Sequence, residues 1–163
     1  MTVNYTIYKD AITNLRTLML ADAYLAIGGT FGVAEIAKIG KKVIADFPYI
    51  DILIRDDENN EEETELGSDR ILHNQLIVEV QIFQIGHSDN EILMGTANDT
   101  GLYDIAGYMK YFLSSEYTIN GTVWDMTWTK TIFQDVLDRE NDEILPMARV
   151  FAVARYQEEV VLA

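Results

Sequence analysis

Leu76, Val78, Val80 and Ile82 recur at every second position of RILHNQLIVEVQIFQIG, residues 70–86, and this alternation constrains the fold more than any other stretch. His73, Gln75, Glu79 and Gln81 fall between them, so a period of two sets the two groups on opposite faces of a strand. One face is apolar and the other mostly polar, as in an antiparallel sheet covered by helices on one side. Upstream, Pro48 introduces YIDILIR, where Ile50, Ile52 and Ile54 share a face and Asp51 lies opposite. Strands over 50–55 and 71–85 predict a long hairpin whose tip is DDENNEEETELGSD, 56–69. That loop carries eight carboxylates, those of Asp56, Asp57, Glu58, Glu61, Glu62, Glu63, Glu65 and Asp69, and no basic residue.

The remaining chain supplies matching halves. Over 8–27, Ile12, Leu15, Leu18, Met19, Leu25 and Ala26 fall at roughly helical spacing, and Gly28-Gly29 gives a stop signal. Asn98, Asp99 and Thr100 are candidate N-caps for a second helix with Leu102, Ile105, Ala106, Met109 and Leu113 along one side. A second hairpin follows. In TVWDMTWTKTIF, Trp124, Met126, Trp128 and Ile132 alternate with polar residues, and DVLDREND turns the chain into PMARVFAVARYQ. The expected architecture is a single α+β domain over 1–163: a mostly antiparallel four-stranded sheet with two helices packed on one face, in the order α-β-β-α-β-β. The segment 28–47 is ambiguous; Gly32 and Gly40 interrupt it, and Lys38, Lys41 and Lys42 form the one basic cluster.

Two strands are apolar on their second face as well. Ile77, Phe83 and Ile85 in one, and Phe151 and Val153 in the other, lie opposite the covered side, and another subunit is the natural cover. Ile77, Phe83, Phe151 and Val153, with Glu79, Arg149 and Arg155 as charged partners, are therefore the candidate subunit interface.

Composition excludes several roles. A net charge of -15, about half of it in the acidic loop, opposes gripping of nucleic acid or an anionic membrane. Without cysteine there are neither disulfides nor thiolate metal sites. The first residues lack a basic n-region, and Asp10, Arg16 and Asp22 interrupt the apolar positions, which argues against a signal peptide or membrane span. His73 and His87 have no nearby residues at triad or metal spacing. Counted from Asp56, the sixth and twelfth positions of the acidic loop are Glu61 and Gly67, which is not an EF-hand pattern. IGGTFG follows a helix and lacks the lysine of a phosphate-binding loop. No catalytic constellation is legible.

The order of elements resembles the tail terminator (tail completion, tail-to-head joining) proteins of long-tailed bacteriophages. The resemblance is carried by the N-terminal helix, FPYIDILI, LIVEVQIFQIG, DTGLYDIAGYMKYFLSS, the NGTVW lead-in to a strand, and MARVFAVARYQ. It implies a virion protein, assembled in the host cytoplasm as a ring, commonly a hexamer. Such a ring caps the tail tube, stops its polymerisation and joins it to the head connector, while DNA passes through an open channel without specific binding. Neither catalysis nor a cofactor, metal or membrane belongs to that role. If the acidic tip faced the channel, its carboxylates would repel phosphate and let DNA slide. The alternatives are a solvated loop that orders against a partner, another neck ring or a tail-tube protein, and an acidic mimic of DNA. A mimic spreads its carboxylates over a surface, whereas here they are concentrated in one loop.

Overall fold

The computed structural model describes residues 6–37, 46–61, 65, 69–138 and 143–161. In chain order these form α1 (Ile7–Ala21), β1 (Glu35–Ala37), β2 (Tyr49–Asn59), β3 (Asp69–Phe83), α2 (Asp89–Met94), α3 (Leu102–Ser115), β4 (Asp125–Asp138) and β5 (Glu143–Val161). The sheet runs β1-β2-β3-β5-β4, with β1 parallel to β2 and every other pair antiparallel. The class is α+β, as expected, but the expected four strands and two helices are five and three among the described residues. Both additions are short. The three residues of β1 offer no readable alternation. The six of α2 begin at a capping box, in which the Ser88 hydroxyl accepts from the Glu91 N–H and the Glu91 carboxylate accepts from the His87 N–H.

In α1, Ile7, Ala11, Leu15 and Met19 recur every four residues and are buried, with Ile12 and Leu18 flanking them. The helix ends at Ala21 rather than near residue 27. Asp22 turns to an extended ψ of 134°, and its Oδ1 accepts from the N–H groups of Tyr24 and Leu25. In α3, Ile105, Ala106, Met109, Phe112 and Leu113 are buried. Its N-cap is Gly101, not one of the three polar residues before it. These helix faces share one core with Leu76, Val78, Val80 and Ile82 of β3 and Ala148, Val150, Ala152 and Ala154 of β5. Each fully buried Leu or Ile there contributes about 1.5–3 kcal/mol over the exposed state. The small alanines of β5 leave room for α3 to lie close to the sheet.

Two β-bulges break the alternation. Ile54 pairs with Val78 and Asp56 with Ile77, so Arg55 is an extra residue in β2. Trp128 pairs with Ala152 and Lys130 with Phe151, so Thr129 is an extra residue in β4. Past each bulge the faces exchange. Asp57 therefore turns toward the helices, and Ile132, which shares the sequence alternation of Trp128, stands on the opposite face from it.

Candidate functional site

The sheet face away from the helices gathers all seven candidate interface residues. Cross-strand partners share a face, and the register sets Ile77 opposite Val153, Glu79 opposite Phe151 and Gln81 opposite Arg149, with Arg155 opposite Gln75 and Phe83 opposite Met147. From β2 this face receives Tyr49, Asp51 and Leu53, and from β4 Lys130, Ile132 and Gln134.

Glu79 lies at its centre with no exposed surface. Its carboxylate accepts from Arg55 Nε and Arg149 Nε, and from Gln81 Nε2 at 3.2 Å. Burial alone pushes the Glu79 carboxyl up, but the hydrogen bonds from Arg149, Arg55 and Gln81 outweigh it and hold the group below its ordinary range. Arg149 is correspondingly raised by its bond to Glu79. It also donates through Nη1 to Gln134 Oε1 at 3.3 Å. The Phe151 ring sits 5.0 Å from both the Arg149 guanidinium and Lys130 Nζ, within cation–π range. Beside this cluster, Asp51 is 3% exposed and its Oδ1 has no hydrogen-bond partner among the described residues. Burial chiefly drives its carboxyl up to about 6; Glu79 adds to the rise, while the Ile52 backbone and Arg55 oppose it. Arg155 pairs with Asp125 at 2.9 Å nearer the rim. The result is a mixed apolar and ionic surface whose central charge is already neutralised.

The acidic stretch divides differently from the expected loop. Asp56, Asp57 and Glu58 belong to β2 and Asp69 to β3, so both strands run into it. Asp57 is a structural tie: its Oδ2 accepts from the hydroxyl of Tyr8 in α1 at 2.5 Å and of Tyr156 in β5 at 2.6 Å. The bond to Asp57, followed by burial, pushes the Tyr8 hydroxyl up to about 12. Burial, followed by the same bond, raises Tyr156. Glu158 is raised by burial and then by the Asp57 charge. Asp56, Glu58, Glu61 and Glu65 are exposed. Glu62 and Glu63 lie outside the described residues, as do Lys38, Lys41 and Lys42, and the side chain of Asp69 is not described.

Sequence reasoning missed Arg55, Lys130 and Ile132, because a bulge stands between each and the alternation that would have placed it. Asp51 did carry a signal, a lone carboxylate in an apolar strand. Two further surfaces were not legible. Tyr24, Phe31, Tyr108 and Tyr111 form a ring cluster with neighbouring centroids 4.7–5.7 Å apart, pinned by the Tyr108 hydroxyl on Asp22 Oδ2 at 2.7 Å. Between α1 and β2 lies a groove of about 820 Å3, with Ile12, Ile52, Leu53 and Ile54 in its walls.

His73 meets the Trp124 ring edge-on at 5.7 Å, and His87 is exposed. Among the described residues no group of three His, Cys, Asp or Glu is placed to hold a metal. None of their helices is long and apolar enough to cross a membrane. No protein-family model and no curated protein matches the chain.

Proposed function

We propose that this chain is a structural protein of the phage neck, a tail terminator that assembles as a ring, commonly of six copies. The ring caps the tail tube and presents its other side to the head connector. The role involves no catalysis and no cofactor. The observation that carries the reading is the sheet face away from the helices. It places Ile77, Phe83, Phe151 and Val153 around a carboxylate already bonded to two arginines, so a neighbour covering it strands no unpaired Glu79 charge. An apolar face with internally paired charge suits burial between identical copies better than permanent hydration.

The exposed carboxylates Asp56, Glu58, Glu61 and Glu65 suit a channel wall past which DNA slides. Asp57 is committed to the tyrosines and is left out of that role. Adding the purified protein to polymerising tail-tube protein tests the reading. Tubes of limited length with a ring at one end are expected by electron microscopy; unchanged elongation and bare ends overturn it. Replacing the four exposed carboxylates by Asn or Gln should slow genome ejection and leave tail joining intact. Unchanged ejection removes the channel-wall assignment.

A further inference from the structure

We propose that the groove between α1 and β2 is a strand-addition site, taking an extended segment of a partner protein that is apolar at alternate positions. The site is independent of the ring.

The register shows which main-chain groups of β2 are free. The Asn60 N–H donates to the His73 carbonyl at 2.7 Å, so the odd-numbered residues of β3 are those whose main chain bonds to β2. Tyr49, Asp51 and Leu53, opposite Phe83, Gln81 and Glu79, therefore turn their N–H and C=O groups toward β3. Ile50, Ile52 and Ile54 turn theirs to the outer edge. β1 covers only the start of that edge. Its pairing ends with Ala37 opposite Asp51, and the N–H and C=O of Ile54 have no strand partner among the described residues.

The groove begins where β1 stops. Ile52, Leu53, Ile54 and Arg55 line it in unbroken succession, although alternate residues of a strand face opposite sides. Lining of this kind means that the groove runs along the strand edge, with the free main chain in its wall. Ile12 and Thr13 of α1 form the facing wall. The helix is tied down on both sides of the opening: the Tyr8 hydroxyl donates to Asp57 Oδ2 at 2.5 Å, and Arg16 Nε to the Ile36 carbonyl of β1 at 2.7 Å. The slot is formed before anything enters it, which lowers the ordering cost of binding.

The occupant follows from what the slot lacks. A helix has already bonded its own amides along its length, and an aliphatic ligand has none. An extended chain brings amides for Ile54 together with apolar side chains for Ile12 and Ile54 on the helix side. The volume of about 820 Å3 is ample for such side chains. Charge plays no part in the choice, because Arg55 is bonded to Glu79 and Lys9 shares the wall with Asp56 and Asp57. The bulge at Arg55 interrupts flat pairing, so the added strand is short.

The chain has no cysteine, so Thr13→Cys, at an exposed position in the groove wall, supplies a single thiol. The probe is a short peptide of alternating valine and threonine bearing an activated disulfide, captured under competing reductant and counted by mass spectrometry. Methylating one alternate set of its amide nitrogens should cut capture about tenfold, and methylating the other set should leave it unchanged. Ser114→Cys, exposed on α3, should show no such preference. By hydrogen exchange, the Ile54 amide should be fast in the free protein and slow about tenfold or more on capture, with Leu53 slow throughout. Capture by Thr13→Cys that is indifferent to both sets of methyl groups, or matched by Ser114→Cys, overturns the proposal. An Ile54 amide already slow in the dilute monomer means that the chain fills its own edge, and one that slows with protein concentration means that a second copy does. Either result overturns the assignment to a partner.

Discussion

Replacing Asp51 by asparagine tests whether the sheet face away from the helices holds a carboxylate that the fold fails to compensate. The group is 3% exposed, one of its oxygens has no hydrogen bond among the described residues, and burial is the main cause of its rise from 3.8 to about 6. The folded state therefore binds this proton more tightly than the unfolded chain does. Its contribution is most favourable below the unfolded value and is lost as pH rises through about 6. At 1.36 kcal/mol per pH unit, a rise of about two units corresponds to about 3 kcal/mol at pH 8. Partial access of water to the neighbouring arginines lowers the expected figure to about 1–3 kcal/mol. Asparagine does not titrate, and the other carboxylates largely cancel between the two proteins. Urea denaturation at pH 8 and pH 4 should show Asp51→Asn more favourable, relative to wild type, at pH 8 by that amount. A difference that is flat with pH, or slopes the other way, refutes the argument.

Other substitutions address separate parts of the fold. Tyr156→Phe should cost about 1–3 kcal/mol in urea melts, because Asp57 loses a buried donor, and the exposed Tyr8→Phe less than half as much. Equal costs would contradict the burial argument. Arg149→Met leaves the buried Glu79 with one arginine and should cost about 2–4 kcal/mol at pH 7, read as a lower urea midpoint. Gly101→Ala brings a Cβ to 2.4 Å from backbone atoms of Gly95 and Leu93 and should lower thermal stability by about 2–3 kcal/mol. Gly107→Ala, with open space in α3, should raise it by about 0.5–1 kcal/mol.

The α+β class was legible because β3 and β5 alternate without interruption and α1 and α3 have clean apolar faces. That regularity also put the seven outward residues on one surface. The bulges at Arg55 and Thr129 were not legible. A single inserted residue leaves composition unchanged yet exchanges the faces beyond it, sending Asp57 to the helices and Ile132 outward. The acidic stretch looked like one loop because charge was read without register, although part of it is paired strand. The capping box at Ser88 and Glu91 was visible as a pattern, but six residues are too few to show a helical period. Glu79 was legible as a charged residue of the outward face beside Arg149; its pairing with Arg55 as well is a product of the bulge, which only the folded sheet shows.

The most direct test of the assembly account is the mass of the intact particle, measured by native mass spectrometry for wild type and for Ile77→Glu. The wild-type chain should register as a closed oligomer near six copies. The variant, which sets a new carboxylate on the sheet face away from the helices, should register as a folded monomer. A wild-type monomer, or an oligomer that survives the substitution, would contradict burial of this face between identical copies.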